Sequence, residues 1–142
     1  MTKVKKYNLS FENDYQYDLI GINSHHPDYR LVWNINQTFY FQLAKANGNY
    51  ELFDKKGELK SFPYFYYQNE EDFLEVYLIK NKNQGKLLIP EKHQMDYFLF
   101  FCNNIVVDIS ESLSKLRKID SVMIALPYKA KELESTKNII FN

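Results

Sequence analysis

Within the segment LIPEKHQMDYFLFF, residues 88–101, lie two carboxylates, Glu91 and Asp96, with the imidazole of His93 between them. Two acids and a histidine can work as general acid and base if their surroundings split their pKa values. The same residues also serve as architecture, and that reading is preferred. Pro90 fixes φ and removes a backbone donor, which ends a strand. Glu91 and Asp96 then hold main-chain N–H groups and keep the loop of residues 91–95 in one conformation.

A metal site would need more than the sequence offers. His25 and His26 are adjacent, so their side chains diverge, whereas a helical metal pair sits four apart on one face. His93 would be the third ligand, but the single cysteine, Cys102, falls inside the apolar run Phe100-Phe101-Cys102. A polar turn before Pro27 accounts for the histidine pair, and no metal or cofactor is expected. There is no Gly-x-Ser-x-Gly elbow, Cys102 has no nearby motif, and the four glycines form no phosphate loop. These absences count against nucleotide-dependent enzymes.

The run FPYFYYQ, residues 62–68, carries Tyr64, Tyr66 and Tyr67. It has three readings, ranked as follows. One face is buried and tyrosines reach out of the other. The tyrosines form a protein interface, where Tyr is enriched. The rings stack single-stranded RNA bases. RNA would require Arg and Lys beside the rings, yet the neighbouring charges are Glu70, Glu71, Asp72 and Glu75. Basic residues sit elsewhere, at Lys55, Lys56 and Lys60.

These side chains need elements to position them. Loose alternation over Val4–Phe11 predicts an opening strand. Asn13-Asp14 reads as a helix start, with Tyr15, Leu19 and Ile22 at helical spacing and Gly21 weakening the run. Residues 27–40 read as helix, with Pro27 in the first turn and Asp28 suited to that end of the dipole. The competing reading is a strand alternating Tyr29, Leu31, Trp33 and Ile35. Tyr50–Asp54 and the stretch from Glu58 form a hairpin, with Gly57 supplying a positive φ. Phe62–Tyr67, Phe73–Lys80, Leu87–Ile89 and Tyr97–Cys102 follow as an antiparallel meander, Pro63 marking an edge or bulge.

In the last of these, Tyr97, Leu99 and Phe101 point one way, and Phe98 and Phe100 the other. That predicts a central strand covered on both sides, or on one side by a partner. Asp108 and Glu111 form a capping-box pattern, opening a helix with Ile109, Leu113, Leu116 and Ile119 on its apolar face. Val122–Leu126 reads as a short buried strand ended by Pro127. Residues 138–141 read as a last packed segment.

Bulk properties agree with this layout. A chain of 142 residues suits one domain. Twelve Tyr and eleven Phe against one Trp favour strands and aromatic layers over a helical bundle. Lys+Arg and Asp+Glu are both 18, so the net charge is zero and nucleic acid is an unexpected partner. One cysteine in an apolar run suits a reducing compartment. No apolar run has the length of a signal peptide or a membrane span, so a cytoplasmic protein with no membrane partner is expected.

Ile89-Pro90-Glu91, three further residues, then Met95-Asp96-Tyr97 resembles the signature of the IPExxxVDY family, with Met95 where that signature has Val. DLIGINSHHPDYRLVWNIN, residues 18–36, resembles the N-terminal block of the same family, so the likeness spans the chain. The resemblance implies a small bacterial cytosolic protein marked by Ile89, Pro90, Glu91, Asp96 and Tyr97. It assigns no reaction and no catalytic residue, and it favours the helical reading of residues 27–40.

The expected architecture is α+β, a single domain over residues 1–142. An antiparallel sheet of about five to seven strands packs against two main α-helices. The expected function is a non-enzymatic protein-binding or scaffold module, using the aromatic sheet face or the Pro90 loop. One alternative is an RNA-associated accessory protein. The other is a small enzyme built on Glu91, His93 and Asp96.

Overall fold

The computed structural model describes residues 17–141, so the strand expected at Val4–Phe11 lies outside the described residues. The elements run β1 (Tyr17–Asn23), α1 (Asp28–Phe39), β2 (Ala44–Lys45), β3 (Tyr50–Phe53), β4 (Leu59–Phe62), β5 (Tyr64–Asn69) and β6 (Leu74–Lys80). Then come β7 (Lys82–Asn83), β8 (Lys86–Leu87), β9 (Tyr97–Cys102), α2 (Ile109–Leu116) and β10 (Ile124–Tyr128). Short 3-10 turns occupy Pro90–Lys92, Ala130–Glu132 and Ser135–Asn138. The fold is α+β. Among the described residues the main sheet has six strands in the order β10-β1-β9-β6-β5-β2, every pairing antiparallel. Two small ribbons, β3–β4 and β7–β8, complete it.

All six residues of β9 are buried. Side chains alternate between the faces of a strand, so apolar residues at every position require cover on both. Tyr97, Leu99 and Phe101 enter a core with Leu31 and Ile35 of α1 and Leu113 and Leu116 of α2. Phe98, Phe100 and Cys102 enter a second core with Phe62, Leu88, Ile89, Met95 and Ile139. Each fully buried Phe or Leu contributes about 1.5–3 kcal/mol. The two helices therefore cover one face. The β3–β4 ribbon, the segment after β8 and the C-terminal segment cover the other.

Local chemistry explains the helix ends. The Pro27 carbonyl accepts the amides of Arg30 and Leu31, and Asp28 lies in the first turn of α1. The Asp108 carboxylate accepts the Glu111 amide at 3.1 Å, which is one half of the expected box. The other half is replaced, because the Glu111 carboxylate lies 3.6 Å from Lys115 Nζ one turn on.

Several sequence expectations need correction. The strand expected over Leu87–Ile89 is β8, Lys86–Leu87, in a separate ribbon, and the buried strand expected over Val122–Leu126 is β10, Ile124–Tyr128, with Ile124 and Leu126 exposed. Of the helix read from Asn13 through Ile22, residues 13–16 lie outside the described residues, and the remainder is a strand, Tyr17–Asn23. Leu19 and Ile22 sit at helical spacing, but they belong to opposite faces of the sheet, with Ile20 on the side of Ile22. Pairing with β9 on one edge and β10 on the other decides the matter over local preference. The single strand expected over Phe62–Tyr67 is split. β4 ends at Phe62 in a ribbon and β5 begins at Tyr64 in the main sheet, with Pro63 at the joint. Pro127 does not end its strand but sits inside β10, opposite Ile20. β10 is the outer strand, where a missing N–H costs no ladder bond. Arg117 Nε and Nη2 both donate to the Ala125 carbonyl, at 3.0 and 2.8 Å, and so block this edge further.

Gly21 has a reason that helix propensity does not supply. A Cβ there would lie 2.7 Å from Tyr128 Cε2 and 2.9 Å from Met95 Sδ. Met95 is itself buried to 1% exposure, so the thioether has little room to retreat. Gly21→Ala is expected to destabilise the protein by about 1–3 kcal/mol in urea unfolding. Combining it with Met95→Ala should cost less than the sum of the two single changes. Full additivity would contradict the proposed crowding.

Candidate functional site

β6 ends at Lys80, and the next residue, Asn81, is completely buried. Its polar groups make five hydrogen bonds, all to residues 88–96. The backbone N–H donates to Asp96 O (2.9 Å) and the carbonyl accepts from Leu88 N (2.8 Å). In the side chain, Oδ1 accepts from Ile89 N (2.8 Å), and Nδ2 donates to Lys92 O (3.1 Å) and Met95 O (2.9 Å). An interior segment must satisfy its main-chain groups. The Asn81 amide does this for a stretch that has no strand partner. Nothing local in the sequence marks Asn81, because asparagine after a strand is the ordinary composition of a turn.

Around that amide the motif residues take separate positions. Pro90 opens the 3-10 turn Pro90–Lys92. Ile89 and Met95 point into the core. Asp96 Oδ2 accepts from Ser24 N (3.0 Å) and Asn23 Nδ2 (3.1 Å), and Oδ1 lies 3.4 Å from Lys82 Nζ. Asn23 Nδ2 also donates to the Gln94 carbonyl. Asp96 thus ties the end of β1 to the start of β9. Tyr97 is buried, and burial, with the charges of Asp28 and Asp96, pushes its phenol up to about 12. His93 is exposed at the end of the turn.

Glu91 engages a different part of the chain. Its Oε2 accepts from Ser135 N (2.8 Å) and its Oε1 from the Ser135 hydroxyl. Partial burial pushes its pKa up, but the Ser135 hydrogen bonds outweigh that and leave the carboxyl below the ordinary range. The two acids therefore clamp two unrelated segments and share no partner. Among the described residues, no three His, Cys, Asp or Glu side chains gather closely enough to hold a metal ion. Burial, then the charge of Glu75, pushes the Cys102 thiol up to about 12, which leaves no thiolate nucleophile at neutral pH.

Glu91 and Pro90 form one wall of a cleft of about 660 Å³. Leu52, Leu88 and Pro90 give it an apolar lining. The β3–β4 ribbon brings Asp54, Lys55, Lys56, Glu58 and Lys60, and β8 brings Lys86. Glu134, Ser135 and Asn138 of the C-terminal segment close it. Its volume falls in the range of small-ligand and peptide pockets. Lys60 and Ser135 were not expected here from sequence. They lie 75 positions apart and meet only because both segments cover the same face of β9.

The tyrosines of the aromatic run divide between the two faces. Tyr64 and Tyr66 stand beside Tyr77, at ring-centroid distances of 5.9 and 4.9 Å. Tyr77 in turn stacks on Phe141 at 4.2 Å. Tyr67 lies on the helix side, stacked on Phe41 at 5.1 Å. No single flat surface presents all three.

The depressed pKa of Glu91 fixes the sign of one pH effect. Its hydrogen bonds stabilise the fold above the unfolded value near 4.5, and that contribution disappears as pH falls through the lower folded value. Glu91→Gln is expected to be less stable than the wild type at neutral pH, with the gap narrowing as pH falls below 4.5. Urea unfolding across this range measures the gap, and a gap independent of pH would contradict the clamp. No family model, curated protein or solved structure matches the chain, so the site stands on its own geometry.

Proposed function

We propose that the protein is a non-enzymatic binding module that offers the cleft beside the Pro90–Lys92 turn to a segment of a partner protein. The observation that carries this reading is the engagement of both motif carboxylates. Glu91 holds Ser135 and Asp96 holds Ser24 and Asn23, and each accepts a main-chain amide. A general acid or base needs a free oxygen within reach of substrate and of its partner group. These two acids instead shape a wall. Beside that wall is an open cleft with an apolar lining and a charged rim, the composition of a recognition surface. Strand addition at β10 is a poor route, because Pro127 and Arg117 already block that edge.

The same reading takes the chain as a member of the IPExxxVDY family, on Ile89, Pro90, Glu91, Asp96 and Tyr97, and places it in the bacterial cytoplasm. Among the described residues no helix is long and apolar enough to cross a membrane.

Asn138 is exposed and lines the cleft, so Asn138→Trp fills the space without removing an internal contact. Immobilised wild type is expected to retain a protein from bacterial lysate that the Asn138→Trp variant loses, at an unchanged melting temperature. Retention should survive nuclease treatment. Equal retention by both forms would overturn the reading, and retention abolished by nuclease would transfer it to RNA.

A further inference from the structure

Of the asparagines in the chain, only Asn47 is followed by glycine. A backbone nitrogen can attack the side-chain carbonyl of the asparagine before it. Glycine leaves that approach open, because it carries no Cβ. In a folded chain the attack also requires that neither group be held by a hydrogen bond.

Asn47 and Gly48 lie exposed in the bend between β2 and β3. The space where a Gly48 Cβ would stand is empty to 4 Å. Among the described residues, no hydrogen bond engages the Asn47 carboxamide or the Gly48 N–H. The chain is nevertheless held on both sides of the pair. Ala46 N donates to the Tyr64 carbonyl at 3.0 Å, and Asn49 Nδ2 lies 3.5 Å from Ser61 Oγ.

Asn23, followed by the small Ser24, shows the opposite arrangement. Its Nδ2 donates to the Gln94 carbonyl and to Asp96 Oδ2, and Ser24 N donates to the same carboxylate oxygen at 3.0 Å. Attacking nitrogen and leaving amide are thus both fixed by Asp96. Asn81 and Asn83 are also held through Nδ2, the second by the Ser61 carbonyl at 2.7 Å.

We propose that Asn47 is a self-modification site, losing its amide to the Gly48 nitrogen and becoming aspartyl or isoaspartyl. The Gly48 nitrogen bonds to Asn47 Cγ, the Cγ–Nδ2 bond breaks, and ammonia leaves with the proton displaced from Gly48. Water then opens the resulting cyclic imide at either of its carbonyls, and nothing is oxidised or reduced. Either product adds an ionised carboxylate to a chain of zero formal net charge. The isoaspartyl form also lengthens the backbone by one atom between the two held residues.

The full chain is incubated at mildly alkaline pH, and its products are separated by anion exchange and mapped by peptide mass spectrometry. A more acidic form is expected to accumulate, with the amide-to-acid mass gain at position 47 and isoaspartyl exceeding aspartyl there. Gly48→Ala meets open space and no positive φ, so it should fold normally and slow the gain several-fold. Asn23 should keep its amide in the folded chain and lose it faster in urea, where Asp96 no longer holds it. Overturning results are no gain at position 47, a rate unchanged by Gly48→Ala, or an aspartyl product alone, which is direct hydrolysis. Asn23 reacting as fast as Asn47 in the folded chain, or no faster in urea than when folded, also overturns the inference.

Discussion

A single buried side-chain amide organises the half of the protein that faces away from the helices. Asn81 sits where β6 leaves the sheet, and its carboxamide acts as a surrogate strand for residues 88–96. Without it, the Ile89 amide and the Met95 carbonyl would be stranded in the core, at about 1–3 kcal/mol each, while the Lys92 carbonyl would keep the Met95 amide. That cost is large against a total stability of about 5–15 kcal/mol. The turn at Pro90 keeps its shape through these bonds together with its own, Lys92 N to Ile89 O and Met95 N to Lys92 O.

Other features follow from holding that segment still. Ile89 and Met95 complete the second core under Phe98 and Phe100. Gly21 gives Met95 and Tyr128 the room they need against β1. Glu91 then meets Ser135, and the C-terminal segment closes over the same face. There the Tyr50 hydroxyl brackets Ile140, accepting its N–H at 3.0 Å and donating to its carbonyl at 3.2 Å. Phe141 inserts among Tyr17, Tyr50, Tyr77 and Phe100. The cleft is the gap left between three independent coverings of one sheet face. Its walls come from parts of the chain held by different interactions.

Much of this was legible in the sequence where one residue type carries one physical meaning. The doubly apolar run Tyr97–Cys102 announced a central strand. Asp108 announced a helix cap, and Gly57 a turn with positive φ, observed at 80°. Pro90 announced the end of a strand and a turn, but its acids hold Ser135, Ser24 and Asn23 and not amides of the loop itself. Reading failed where a residue's role depends on distant neighbours. Leu19 and Ile22 suit a helix until β9 and β10 flank them. Pro127 looks like a terminator until its strand proves to be the outermost. Asn81, Lys60 and Ser135 carry no local mark, because their significance lies in partners between 7 and 44 positions away.

The most direct test of the central role of Asn81 is native-state hydrogen exchange at the Ile89 amide, which donates to Asn81 Oδ1. If that amide is the fulcrum of this face, Ile89 exchanges only through global unfolding, as slowly as the amides of β9. Exchange at the rate of an exposed turn, orders of magnitude faster than β9, would show that the segment opens by itself and would contradict the account.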